Sequence, residues 1–293
     1  MFGNLLADIA EAIRRFMCDV VFGMLIDLFH SANEQINNVG DMVGQSPQAY
    51  NNNIFTLMQN ISDNVILPIA SLVITGILCY ELITMVTEKN NMADVDTSMF
   101  FKYIFKACIA VFLLSNTFVI VNGVFDLSAV LVAGVVEQFG VTADTLGGYD
   151  HSLLQAMYNN EGGQFSIGAL FLMFLTGLIV RLIMFAVNII VFVILIGRFM
   201  EMYLYCSVAP IPFATFANKE WGNIGTNFIK NIIAITFQAF FIMVLVSIYG
   251  ILVSTVDYTD VLGSLALAAC YSICLCMMLF KTSSISKAIF TAH

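Results

Sequence analysis

Long apolar runs, broken by short polar stretches, set the layout of this chain. Over residues 2–29 the apolar positions Phe2, Leu5, Leu6, Ile9, Ile13, Phe16, Met17, Val20, Met24 and Leu28 recur at three- and four-residue spacing. Asn4, Asp8, Glu11 and Arg15 share the opposite face, so the segment predicts an amphipathic helix. It is too interrupted to cross a bilayer, which takes ~20 mostly apolar residues. Such a helix lies on a membrane surface, on partner subunits or on the protein's own bundle. Residues 31–64 are polar and Asn-rich, carry no Lys or Arg, and read as a polar extracytoplasmic loop.

Uninterrupted apolar runs then predict five spans over residues 65–87, 103–121, 166–196, 229–253 and 262–280. Pro68 falls in the first turn of the first span, where proline is tolerated. A shorter apolar stretch, 124–139, is bounded by Asp126 and Glu137 and reads as an interfacial or re-entrant helix within an outer loop, 122–165. Residues 166–209 contain no turn signal. As one helix they reach ~65 Å, twice the ~30 Å hydrocarbon core, so the helix either projects or bends near Gly197.

Composition agrees with an all-α polytopic membrane protein. The chain is 60% hydrophobic and 11% charged, against about 25% charged residues in soluble domains. Its mean hydropathy is +0.91. Too little charge is present to cover a globular surface, so lipid covers part of it. No cleavable signal is expected, because Asp8, Glu11, Arg14, Arg15, Asp19 and Asp27 interrupt the first 30 residues. The seven cysteines mostly sit in apolar runs without a CxxC pair, and His30, His151 and His293 are scattered. They read as packing residues, so no metal or other cofactor is expected.

The net charge of −9 does not orient a membrane protein; the placement of Lys and Arg does. Between Lys106 and Arg181 there is no basic residue, which puts that loop outside. Lys281 and Lys287 put the C-terminus in the cytoplasm, and the count then puts the N-terminus outside.

One stretch departs from this monotony. Between Ile196 and Asn231 an apolar helix carrying Arg198 and Glu201 meets Ala209-Pro210-Ile211-Pro212, then Lys219, Glu220 and Trp221. Proline ends a helix and biases the preceding residue away from the α region. Trp and Lys are common at the membrane–water interface. The segment 198–228 therefore reads as a cytoplasmic elbow. Its residues Gly197-Arg198, Glu201, Ala209–Pro212 and Glu220-Trp221-Gly222 resemble the TrbL-type polytopic channel subunit of type IV secretion and conjugation systems, in the branch from Gram-positive conjugative elements. Ile66–Ala70, Tyr80–Ile83, Lys89–Met92 and Ile104–Lys106 extend the resemblance, which covers roughly residues 50–255.

The charges at membrane depth are Glu81, Arg181, Arg198 and Glu201, each costly in lipid unless paired or facing water. Glu81 and Arg181 fall at similar depths and are expected to pair across the bundle. Gly177, Arg181 and Asn188 share one helix face, suited to a protein-facing seam. Arg198 and Glu201, three apart, are placed to pair within their helix as a solvated or interfacial pair. No nucleophile–base pair or phosphate loop appears, so an enzyme is not expected.

The resemblance implies a structural subunit of a translocation channel passing relaxase-bound single-stranded DNA. It implies as partners other secretion membrane subunits and secretion ATPases, further copies of itself, the transient strand and the bilayer. The outer loop carries Asp126, Glu137, Asp144, Asp150 and Glu161. Phosphate binding uses Lys and Arg, so Lys219, Lys230, Lys281 and Lys287 are the better candidates for strand or motor contact. A membrane scaffold without a pore and a stand-alone small-solute transporter are the alternative readings.

Overall fold

A computed structural model describes residues 2–87, 97–139, 167–218, 220–254 and 261–290. Among the described residues the chain is helical, without a strand. Among the described residues, five helices are long and apolar enough to cross a membrane: Asn52–Thr87, Thr117–Gln138, Gly168–Val208, Gly222–Leu252 and Ala269–Ile289.

The N-terminal helix α1 (Phe2–Val43) runs well past the predicted 29 and absorbs the start of the polar segment. The rest of that segment is also helical. In α2 (Pro47–Tyr50), Ser46 accepts from the Ala49 amide and proline takes the first position. In α3 (Asn52–Ile61), the Asn51 side chain accepts from the Asn53 and Ile54 amides. These caps satisfy donors that a helix start leaves open. A wide π turn, Ser62–Ile66, joins α3 to α4 (Leu67–Thr87). Pro68 has no N–H and its ring crowds the carbonyl four residues back; the wide turn just before it relieves that clash without ending the helix.

Helices α5 (Thr97–Ser115) and α6 (Thr117–Phe139) meet at Asn116. Here the structure differs from the expected boundaries. The predicted span 103–121 straddles the break, and the stretch read as an interfacial helix, 124–139, belongs to a helix of membrane length. Asp126 thus lies inside α6 and not in a loop. The long helix α7 (Ile167–Val208) is a single unbroken element of 42 residues, about 63 Å. The short α8 (Pro210–Ala214) and a 3-10 turn, Thr215–Ala217, lead to α9 (Gly222–Ser254), and α10 (Val261–Ile289) completes the fold.

The chain packs as two compact units. The first holds Met1–Met42, Ala133–Leu195 and Ile242–Lys281. In it α1 lies against α7, where Phe16, Met17, Val20 and Val21 line a cleft of about 180 Å³ with Phe171 and Phe174. Met24 rests on Gly177, so close that a Cβ there would meet Met24 Cε at 2.1 Å. Farther along, Gly40 lies beside Met243 of α9. The Tyr249 and Ser272 hydroxyls, 2.8 Å apart, tie α9 to α10.

The second unit holds Val43–Val132, Ile196–Phe241 and Thr282–His293. Its core joins α4, α5 and the elbow through Ala70, Ile74, Ile77, Ala110, Leu114, Ala214 and Ala217. Small residues let these helices approach closely. The opposite faces are apolar and open, with Leu72, Ile83, Phe101 and Phe105 exposed, a surface that suits lipid.

Candidate functional site at the proline elbow

The elbow is packed and not open. Pro210, Phe213, Ala214, Thr215, Ala217 and Asn218 are all buried. Ala209 stays in the α region despite preceding proline, at φ −52 and ψ −35, so the turn is a tight restart of the helix. Thr215 Oγ1 donates to the Pro212 carbonyl at 2.7 Å and accepts from the Gly225 amide at 3.1 Å. Gly225 is required by space: a Cβ would stand 2.8 Å from the Pro212 carbonyl oxygen and from the Phe216 ring.

Asn218 connects this elbow to the α4–α5 hairpin. Its Oδ1 accepts from the Glu220 and Trp221 amides at 2.7 and 3.3 Å, fixing the entry to α9. Its Nδ2 donates to Glu81 Oε2 at 2.8 Å, and Lys106 Nζ donates to Glu81 Oε1 at 2.6 Å. Tyr103 donates to the Leu78 carbonyl beside them. Both carboxylate oxygens of Glu81 are therefore occupied, by Lys106 and Asn218. The expected partner Arg181 is not one of them; it is exposed on α7 without an ion pair to a described residue. The hairpin brings Lys106 opposite Glu81 through 25 residues of chain, a pairing that α7 has no part in.

The expected Arg198–Glu201 pair is also replaced. Glu201 takes Lys287 of α10 at 3.1 Å. Arg198 is buried to 2% exposure and is not an interfacial residue. Its Nη1 donates to the Val43 carbonyl at the C-terminus of α1, at 3.3 Å, and its guanidinium lies 5.7 Å from the Phe199 ring centre. A cation at a helix C-terminus meets open carbonyls and the negative end of the dipole. Its Nε and Nη2 have no hydrogen-bond partner among the described residues. One turn on, Tyr203 donates to the Pro47 carbonyl at 2.7 Å, and Tyr50 stacks on Phe199 at 3.9 Å.

Of the remaining predicted site residues, Glu220 and Trp221 are exposed at the start of α9 and Lys281 is exposed on α10. Lys219, Asp144, Asp150 and Glu161 lie outside the described residues. Sequence reasoning missed Asn218, Gly225, Lys106 as a partner and Tyr203. For Asn218 a signal existed, since an Asn side chain readily accepts from the amides two and three residues on and so turns the chain, here four residues before α9 begins.

Membrane-length helices, with charges held to one another between them, define a polytopic integral membrane subunit. The chain belongs to the family of TrbL/VirB6 plasmid conjugal transfer like proteins, which matches residues 32–210. It is thus a membrane component of the conjugal transfer and type IV secretion class. No curated protein and no solved structure matches it. The family match covers α1 from residue 32 through Pro210, so the Glu81–Lys106 pair and Arg198 fall inside it, and Asn218 and Lys287 fall beyond it.

Proposed function

We propose that this chain is a structural subunit of the membrane translocation channel of a conjugative type IV secretion system, helping relaxase-bound single-stranded DNA across the cytoplasmic membrane. The family match over residues 32–210 carries the reading. The five apolar helices support it. It works as a structural part and not as an enzyme, with energy from the system's own ATPases. It assembles with other secretion subunits and with further copies of itself, N-terminus outside and C-terminus cytoplasmic.

The lysines proposed for strand or motor contact differ in their surroundings. Lys287 is tied to Glu201, whereas Lys281 is exposed. Of these two, Lys281 is the better candidate. A mating assay tests the function. Deleting the gene from its element abolishes transfer, and the wild-type chain supplied in trans restores it. Crosslinking of the moving strand to this chain separates a conduit from a scaffold. Transfer that persists at wild-type frequency in the deletion strain refutes the proposal, and solute uptake lost in its place identifies a transporter.

A further inference from the structure

A polar helix keeps company with the most apolar elements of the chain. In the first unit α1 and α7 run parallel and in constant register: Phe16 and Val20 face Phe171 and Phe174, and Met24 seats on Gly177. Sixteen residues beyond Met24, Gly40 lies beside Met243, in the middle of α9. The second unit repeats the register, with Val43 bound by Arg198 and Pro47 by Tyr203, separations of 155 and 156 residues. Yet residues 27–41 of α1 include Asp27, Glu34 and Asp41 with several amides and no Lys or Arg. Asp27, Asn38 and Asp41 are exposed, while Val39 and Val43 are buried.

The α7 segment alongside is interrupted between Gly168 and Leu195 by few polar residues, chiefly Arg181 and Asn188. Its outer face offers Leu182 and Phe185, both well exposed, to lipid. Two helices side by side at one depth share one solvent problem. Hydrocarbon can cover Leu182 and Phe185, but each acid of α1 placed in it costs about 2.5 kcal/mol or more. Polar backbone and side chains at bilayer depth are found where they line a water-filled cavity or are buried in protein.

We infer that α1 lies at bilayer depth beside α7 and that its exposed residues Asp27, Asn38 and Asp41 line the aqueous path of the assembled channel. These three side chains are two acids and one amide. Residues 27–41 themselves offer a phosphate backbone no Lys or Arg, which suits a wall along which a strand moves. The inference rests on the channel reading. It also moves Asn38 and Asp41 out of the extracytoplasmic segment that composition alone suggests.

Labelling of the full-length chain in sealed membrane vesicles tests it. Start from a parent whose exposed Cys79, Cys108, Cys270 and Cys274 are replaced by alanine, and introduce single cysteines at Asp27, Asn38, Asp41, Leu182 or Phe185. A charged, membrane-impermeant thiol reagent is compared with a lipid-soluble maleimide. The three α1 positions are expected to react with the charged reagent at least about tenfold faster than the two α7 positions, which react with the lipid-soluble one. Charged reagent excluded from α1, or equally fast at Leu182 and Phe185, overturns the inference. A water-soluble carbodiimide applied to the wild-type chain, with Asp27 and Asp41 read by mass spectrometry, covers variants that do not fold. Modified acids support the lining and protected ones overturn it. Labelling does not depend on DNA transfer, so the mating assay fails or succeeds separately.

Discussion

Replacing Glu81 by Gln removes one charge and little else. In the structure the carboxylate accepts from Lys106 at 2.6 Å and from Asn218 at 2.8 Å. The glutamine amide keeps one oxygen for Asn218 but turns an N–H toward Lys106. An exposed ion pair contributes about 0–1 kcal/mol, and breaking a buried one costs roughly 3–5 kcal/mol. Here the side chains are 26% and 39% exposed, between those limits and toward the first. We therefore expect Glu81→Gln to cost about 1–2 kcal/mol. Glu81→Ala, which also strands Asn218, costs more.

The double Glu81→Gln/Lys106→Gln variant should lose less than the sum of its parts, with a coupling of about 1 kcal/mol. Chemical unfolding of the purified chain in mixed micelles measures all four corners. Hydrogen exchange over residues 209–225 should rise in Glu81→Gln, because the cluster holds the elbow through Asn218. The comparison that matters is a second cycle, Glu81→Gln with Arg181→Gln, which should be additive within about 0.5 kcal/mol. A Glu81/Lys106 coupling no larger than the Glu81/Arg181 one, with elbow exchange unchanged, refutes the arrangement.

Three other substitutions check separate parts of the fold. Gly225→Ala forces a methyl group onto the Pro212 carbonyl and should cost roughly 1–3 kcal/mol, whereas Gly222→Ala, which meets nothing within 4 Å, should unfold at the wild-type denaturant midpoint or above. Arg198→Met fills the same space without two unpartnered buried donors, so its stability should stay within about 1 kcal/mol of wild type or exceed it, while Arg198→Ala leaves a cavity and loses roughly 2–4 kcal/mol; an unfolding titration ranks them. Gly177→Ala displaces only the tip of Met24 and should be mild, but Gly177→Leu should lift α1 from α7 and raise hydrogen exchange over residues 16–42 without a matching rise over α9.

The helices were legible because nothing but hydrophobic burial was needed to draw them. Uninterrupted apolar runs located α4, α7, α9 and α10, and the proline pair, read as a stop, marks where the helix restarts as α8. Polar segments misled. Residues 31–43 read as loop because asparagine and aspartate are poor helix formers, yet α1 continues through them, with Val39 and Val43 buried at its end, and tertiary packing overrides that weak preference. The break at Asn116 has no glycine or proline to announce it, so one span was drawn across two helices.

Charged partners were the least readable part. Depth alone paired Glu81 with Arg181, since both sit past the middle of apolar runs. The hairpin between α4 and α5 is shorter and brings Lys106 in first. Spacing alone paired Arg198 with Glu201, and a residue three places on is always within reach in a helix. What spacing does not contain is the arrival of the α1 C-terminus and of α10, each of which claims one member of that pair.

The π turn at Ser62–Ile66 also sets an angle. Such a turn carries one residue more than an α-helix needs, and one residue is about 100° of rotation about a helix axis. Phe55, which meets Phe118, and Ile74, which enters the α4–α5 core, are thereby put in phase by a single extra position. Removing one residue from this turn would act as a twist of the axle more than as a shortening. It would swing the α3 face away from α6 while leaving α4 seated, so the length of this helix, residue by residue, is part of its information.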